Sequence, residues 1–429
     1  MHTHELEDVW RRKFPENREY TWYDKEKGSR IDYWLTSKSL NYQIQDVSNS
    51  HAPRTDHRII TLKLSTNEVK RGKGIWKLNT SLLFDNEYKD KIRNFWAWWK
   101  NEKHKYTDIG MWWDMGKVGI KDLSRDYSTV KSLVEKSELE DLEFEIDSIK
   151  DDFSQNERLS ELKLKYDTII NKKSEGEKIR SKIKWWEEGE KSTKFFHNLE
   201  KSRAKQKAWD KILDKNGKLE YGTSNVLKRQ VEFYKNLFTS EQNDNNQREK
   251  TFFLSSIDKE LSETSKNKLD SDIEISEIVS SIKKMPNGKS PGSDGLPVEF
   301  YKIFWNDIGN DYFEVITSGL ANEELSYTQY LAVISLLYKK GTREDIKNWR
   351  PISLLNIDYK IISKALAERL KLVLHEIIHP DQRGCVPGRF IGENIRHIDD
   401  ILFEMENVNP HPLILMFDQE KAFDWYFQL

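Results

Sequence analysis

The feature that most constrains this chain is a change in the spacing of its apolar residues. Ile60, Leu62 and Leu64 alternate with polar neighbours, so they share one face of a strand entered from Thr55-Asp56-His57. Ile31, Tyr33 and Leu35 alternate in the same way within residues 29–35, and the polar, proline-containing residues 48–55 are expected to form a loop between the two strands. From about Trp76 the period becomes helical. Leu142, Ile146, Ile149 and Phe153 stand four, three and four apart, and Leu159, Leu162, Tyr166 and Ile169 prolong the stripe. Glu, Lys and Asp occupy the other faces, which predicts long amphipathic helices. With 429 residues and about 150 per typical domain, two or three folded units are expected.

A third segment opens near Asp272. It holds a Gly/Pro loop over 286–297, a helical stretch, a β-like run over 331–338, a basic turn and a second β-like run from Pro351. A helix is predicted over 361–378, stopped by Pro380. Leu413 to Phe417 reads as a buried strand leading into Asp418. Residues 66–74 read as a basic linker and 241–247 as a polar loop. The Trp96, Trp98, Trp99, Trp112, Trp113, Trp185 and Trp186 clusters read mostly as packing residues, with base stacking a minority role.

Composition narrows the class. The 15 Trp, 17 Tyr and 19 Phe exclude global disorder despite 33% charged residues. A single cysteine, Cys385, excludes a disulfide scaffold or a Cys-based zinc cluster. No apolar run approaches the roughly 20 residues of a membrane span, and the start Met-His-Thr-His-Glu is unlike a signal peptide. An intracellular protein, of nucleus or cytoplasm, with no membrane partner is therefore expected. The net charge of −2 hides an uneven distribution. Residues 191–210 carry six Lys/Arg against two acids and 335–389 eleven against six, whereas 391–429 carry two against eight. Basic blocks before an acidic end suit a phosphate track leading to a metal site; taken alone, such runs are more often solvated helix faces.

Two attractive motifs fail on their context. His375-Glu376-Ile377-Ile378-His379 matches the zinc-protease helix, but its histidines fall opposite Leu366, Leu370, Val373 and Ile377, on the expected solvent face. Asn287-Gly288-Lys289-Ser290 lacks the glycine a phosphate-binding loop needs five positions earlier, where Lys283 stands, and Pro291 follows the serine directly.

The segment from Phe417-Asp418-Gln419 to Phe423-Asp424 is more informative. A carboxylate ending a buried strand can hold a divalent metal, and two such metals clamp the attacking and leaving oxygens of a phosphoryl transfer. Alone, a helix-capping Asp is the commoner explanation. Its company changes that balance. Lys289-Ser290-Pro291-Gly292-Ser293-Asp294-Gly295-Leu296-Pro297, Glu299-Phe300-Tyr301, Lys339-Lys340-Gly341, Asn348-Trp349-Arg350-Pro351-Ile352-Ser353-Leu354-Leu355, Tyr359-Lys360-Ile361, Gln382, Gly384 and Pro387-Gly388-Arg389 precede Asp418 in that order. Together these blocks resemble the second open reading frame protein of LINE-type (non-LTR) retrotransposons, which joins an endonuclease to a reverse transcriptase.

That resemblance implies an α+β, mostly helical fold. Residues 1–66 would be the C-terminal strands of an endonuclease β-sandwich and 67–271 a helical connector. Residues 272–429 would be the fingers and first palm strand of a right-hand polymerase. It implies Asp418 as a catalytic ligand of Mg2+ and Phe423 as the gate against ribonucleotides. Lys339, Lys340 and Arg350 would meet the incoming deoxynucleoside triphosphate, where a guanidinium offers a planar charged fork; read from the residues alone, Arg350 could instead pair with Asp345 or Asp358. Gln382, Gly388 and Arg389 would lie along the RNA template, with Cys385 standing where the family carries an aromatic. Asp32, Asp56 and His57 match the closing endonuclease motifs, in which an Asp orients a His that handles the proton of the attacking water on target DNA; a capped turn entering a strand explains the same residues. Trp76-Lys77-Leu78-Asn79 and residues 191–203 resemble the stretches linking the enzymes and would contact RNA. Neither an aromatic-x-Asp-Asp hairpin nor the upstream metal ligands of the endonuclease occur, and Asp399-Asp400 reads as helix surface. The chain alone is therefore expected to be inactive as a polymerase. The alternative is an RNA-binding module without catalysis.

Overall fold

The structure is a computed structural model that describes residues 6–24, 27–51, 56–65, 74–149, 156–181, 209–239, 251–252, 254–255, 259–408 and 415–417. In chain order the first elements are β1 (Leu6–Asp8), α1 (Val9–Lys13), β2 (Trp22–Asp24), β3 (Lys27–Ser29), β4 (Leu35–Ser37), β5 (Ile44–His51) and β6 (Arg58–Leu64). Helices α2 (Asn86–Asn101), α3 (Ile109–Ile149) and α4 (Asn156–Ser181) follow. Next come β7 (Lys211–Leu213), β8 (Leu219–Tyr221), α5 (Thr223–Phe238), α6 (Glu263–Asp270), α7 (Ile275–Lys284) and α8 (Val298–Ala321). The last are β9 (Ala332–Tyr338), β10 (Trp349–Leu355), α9 (Ile357–Ile377) and α10 (Gly392–Val408). The fold is mostly helical with small antiparallel sheets, an α+β arrangement as expected. The chain divides into two units, 1–74 with 125–191, and 75–124 with 192–429.

In the first unit β5 and β6 form an antiparallel ladder with Val47 opposite Leu62, Asn49 opposite Ile60 and His51 opposite Arg58. Residues 48–51, expected in a loop, are strand because their backbone groups are paired with β6 despite polar side chains. Residues 30–34, expected as a strand, are not one. The amides of Ile31 and Asp32 donate to Thr21 Oγ1 at 3.1 Å, so a side chain takes donors that a strand ladder would use. The helical stripe behaves as its spacing predicts: Leu142 and Ile146 of α3 bury against Leu162 and Tyr166 of α4, with Ile149, Leu159 and Ile169 at the margin. Phe153 lies outside the described residues. Arg58 of β6 reaches Asp147 of α3 at 3.3 Å.

The second unit is organised by aromatic packing. Trp96 of α2 meets Trp112 and Trp113 of α3 at 5.6 and 5.5 Å, and Trp113 meets Tyr312 of α8 at 5.5 Å. All four rings are buried, so they are core, whereas Trp98 is 53% exposed. Trp185 and Trp186 lie outside the described residues. The face that α9 buries includes Ile361, Ile362, Ala365, Arg369 and Val373; of the expected stripe Val373 is buried, but Leu366 and Leu370 are 39% and 48% exposed. Arg369 is held from another helix. Glu277 of α7 binds Arg369 through both carboxylate oxygens, at 2.7 and 2.6 Å, and Arg369 also donates to the carbonyls of Ser271 and Asp272. A bidentate, carbonyl-satisfied guanidinium can be buried where an unpaired one cannot. Strands β9 and β10 form a hairpin with Trp349 opposite Tyr338 and Arg350 opposite Leu337. One face is covered: Trp349 stacks on Trp209 at 4.1 Å, and Leu336 packs against Ile212, Val226, Tyr234 and Ile346. The expected terminal strand is absent among the described residues. Leu415, Met416 and Phe417 are exposed and pair with no strand, and apolar propensity alone supplies no ladder partner.

Candidate nucleic-acid-handling sites

The β9–β10 hairpin gathers three residues that the sequence nominates. Arg350 is directly opposite Leu337, and opposed residues of an antiparallel pair project to the same face. That face is open, with Leu337 54% and Ile352 43% exposed and Arg350 exposed between them. Lys339 and Lys340 are exposed in the connecting turn, where the Lys339 amide donates to Asn348 O at 2.9 Å. Gly341 holds φ +91 there, and a Cβ would meet Asn348 Nδ2 at 2.6 Å, so the turn requires glycine. Both carboxylates that could have paired with Arg350 are engaged elsewhere. Asp345 caps the one-turn helix Ile346–Asn348 by accepting from the Lys347 amide at 3.0 Å, and Asp358 binds Lys117 at 2.6 Å. Three cations therefore sit at one end of a ribbon and on its open face.

The loop after α9 gathers the second set. Arg389 donates to the carbonyls of Ile378, His379 and Gln382 at 3.0, 2.6 and 2.8 Å. The guanidinium is thus the device that folds this loop back on the C-terminus of α9, whose last carbonyls lack helical partners. Gln382 is exposed, and Gly388 takes φ +78 just before Arg389. Cys385 is exposed with φ +62. Asp418 and Phe423, and the basic residues 191–203, lie outside the described residues.

In the first unit His57 Nδ1 lies 2.8 Å from Asp32 Oδ2. Hydrogen bonding to His57 holds the Asp32 carboxyl below its ordinary value, with burial opposing and Thr21 assisting. With Asp32 at Nδ1, the acceptor lone pair of a neutral imidazole is at Nε2. Asp32 also lines a pocket with Thr21, Arg30, Tyr33, Trp34 and Asn49. Asp56 does a different job from its neighbour: its carboxylate accepts from Trp22 Nε1 at 2.7 Å, which ties the His57 turn to β2. The sequence groups Asp32, Asp56 and His57 but cannot say which Asp meets the imidazole; in the structure it is Asp32, while Asp56 anchors an indole.

The two rejected motifs also have structural employment. Glu376 accepts from the Ser262 amide at 2.8 Å and from the Ser265 hydroxyl, so it serves the N-terminus of α6. The Gly288 amide donates to Glu299 at 2.6 Å, and a loop facing a carboxylate is no phosphate cradle. Asp399 and Asp400 are exposed on α10, as expected. Among the described residues no three His, Cys, Asp or Glu side chains are grouped to hold a metal ion. What sequence reasoning missed is a buried charge cluster, Lys117 with Asp114, Asp294 and Asp358. Its trace is visible in hindsight, since Asp114 and Lys117 are the only charges in the otherwise apolar run 109–120.

Known proteins resemble this chain along its length. Residues 338–425 match the family described as reverse transcriptase (RNA-dependent DNA polymerase), a span that takes in Arg350, the Arg389 loop and Asp418. The chain is 34% identical over 430 residues to the "Transposon TX1 uncharacterized 149 kDa protein" of Xenopus laevis, across 98% of this chain and 33% of that protein. It is 26% identical over 164 residues to the "Probable RNA-directed DNA polymerase from transposon BS" of Drosophila melanogaster, across 35% of this chain and 17% of that protein. The chain thus spans about a third of the length of the first relative. No helix among the described residues is long and apolar enough to cross a membrane. Residues 338–425 are thus similar to reverse transcriptases, and the chain as a whole is similar to a transposon-encoded protein.

Proposed function

We propose that the chain carries the fingers and first palm strand of an RNA-directed DNA polymerase within residues 272–429. In this reading the connector spans 67–271, and 1–66 close an endonuclease β-sandwich of the LINE type. The observation that carries it is the reverse transcriptase match over 338–425, which takes in Lys339, Lys340 and Arg350. Lys339, Lys340 and Arg350 bind the phosphates of an incoming deoxynucleoside triphosphate or the adjoining strand, as permanently charged donors suit phosphoryl oxygens. Gln382, Gly388 and Arg389 line the template, with Arg389 shaping the loop and Gly388 permitting close backbone approach. Asp418 is the carboxylate that would help hold Mg2+, which supplies Lewis-acid and nucleophile-activating chemistry when bound, and Phe423 screens the sugar. The described residues contain no metal-holding set, so no step is derived through the ion. In the first unit His57 accepts the proton of the water attacking a DNA phosphodiester, and Asp32 stabilises the imidazolium that results.

These 429 residues contain one palm carboxylate block, and a two-metal clamp requires more than one. The chain by itself is therefore proposed to bind RNA without extending primers. Purified chain with magnesium, a primed RNA template and deoxynucleoside triphosphates should give no product above a buffer blank; extension would refute the claim of inactivity. RNA affinity should fall steeply with salt. Replacing Lys339, Lys340 and Arg350 together with Ala should lower the log–log salt slope by about two, at roughly 0.7 per phosphate contact on a single strand. An unchanged slope would remove the hairpin from the binding surface.

A further inference from the structure

The hairpin with the three cations is fastened at both roots by one residue of a distant stretch of sequence. Thr328 lies four residues before the first residue of β9, and Asp358 three after the last residue of β10. Lys117 of α3, whose side chain is 2% exposed, donates from Nζ to Thr328 Oγ1 and to Asp358 Oδ2, the latter at 2.6 Å. Asp114, one turn earlier on α3, accepts from the Thr328 amide at 2.9 Å and its hydroxyl at 2.6 Å. Asn356, at the exit of β10 and fully buried, donates to Thr328 O at 2.8 Å and joins the two roots directly. Asp294 Oδ2, 3.8 Å from Lys117 Nζ, brings the 286–297 loop to the same ammonium.

A two-stranded ribbon has little stability of its own, so its direction is set by what holds its ends and its covered face. Here the covered face is held by the Trp209–Trp349 stack. The roots are held by an ammonium among three carboxylates, where any displacement strands a buried charge. We infer that Lys117 is a positioning residue: it touches no substrate, but it fixes the direction of the hairpin that presents Lys339, Lys340 and Arg350. The functional half of this inference rests on the proposed reading of that hairpin; the mechanical half does not.

The test is amide hydrogen exchange of the full chain, read peptide by peptide, alongside binding of a single-stranded oligouridine probe. Lys117→Met removes the ammonium. Thr328→Val is the milder variant, removing the hydroxyl that bridges Lys117 and Asp114 while every charge stays in place. Thr328→Val should speed exchange across 332–338 and 349–355 by about tenfold, with α7 and α9 unchanged, because only the local opening is affected, and Lys117→Met should speed those two strands more than the rest of the unit. Probe affinity should fall several-fold in the same variants. If Lys117→Met does not fold, Thr328→Val decides. Unchanged hairpin exchange in a folded variant overturns the inference, and so does an acceleration spread evenly over the second unit. Hairpin-confined acceleration with unaltered probe affinity upholds the positioning role and removes the hairpin's part in RNA binding.

Discussion

Two acid–base pairs in this chain have nearly the same separation and different surroundings. Lys117 Nζ and Asp358 Oδ2 are 2.6 Å apart, with side chains 2% and 0% exposed. His57 Nδ1 and Asp32 Oδ2 are 2.8 Å apart, with side chains 40% and 35% exposed. Distance is therefore not what separates a buried pair from an exposed one. The buried ammonium is held charged: burial would lower its pKa, but Asp358, Asp294 and Asp114 raise it above the ordinary value. It has no proton to offer anything outside. The exposed imidazole keeps contact with solvent, so a proton can pass to and from it.

The sharpest way to break this contrast is Lys117→Met. It leaves three buried carboxylates without their cation and should destabilise the second unit by about 3–5 kcal/mol in urea unfolding. Lys117→Met combined with Asp358→Leu should cost less than Lys117→Met alone, because the stranded charge is gone. A single-variant loss below about 1 kcal/mol, the size of an exposed pair, would erase the difference between the two sites.

A smaller effect concerns Asp294, whose carboxyl is pushed up to about 7, chiefly by burial, with Lys117 opposing and Asp358 adding to the rise. A raised acid binds its proton more tightly in the folded state. Its contribution is thus complete below the unfolded value near 3.8 and lost as pH rises through about 7. Relative to Asp294→Asn, the unsubstituted chain should lose stability between pH 5 and pH 7 by up to about 1.4 kcal/mol per pH unit, then level off. Paired urea titrations across that range measure it, and parallel curves would show that Asp294 is ionised throughout.

The smallest effect is expected at the exposed pair. Asp32 is held below its ordinary value by His57, so its contribution is present above the usual carboxylate range and lost as pH falls through the lowered value. Solvent screening limits this, and Asp32→Asn should change stability by less than about 1 kcal/mol at neutral pH. A loss comparable with that of Lys117→Met would mean that the dyad holds the fold together rather than serving chemistry.

Much of the fold was legible because its signals are local. The four-three-four spacing from Leu142 onward predicted the apolar faces by which α3 and α4 pack, and the β-like runs around the basic turn predicted the hairpin within two residues. The ordered blocks pointed to reverse transcriptases because several independent short matches, in order, are far rarer than one. The site was legible in part: Asp32 and His57 meet, and Lys339, Lys340 and Arg350 share one hairpin. Asp56 and Arg389 illustrate what residue type cannot tell, since a carboxylate may anchor an indole and a guanidinium may organise a loop.

By itself, the sequence determined the long helices, the β9–β10 hairpin and the likeness to reverse transcriptases, because periodicity and motif order depend only on neighbours along the chain. It also determined that the chain is rich in charges. Which of those charges are buried was decided only by tertiary structure. Glu277 holds Arg369 on the buried face of α9, Thr21 took the amides of residues that read as a strand, and Lys117 pairs with buried Asp294 and Asp358 from stretches distant in sequence. The physical reason is the cost of desolvation: a buried charge is tolerated only where partners distant in sequence arrive with the right geometry, and no local pattern records that arrival.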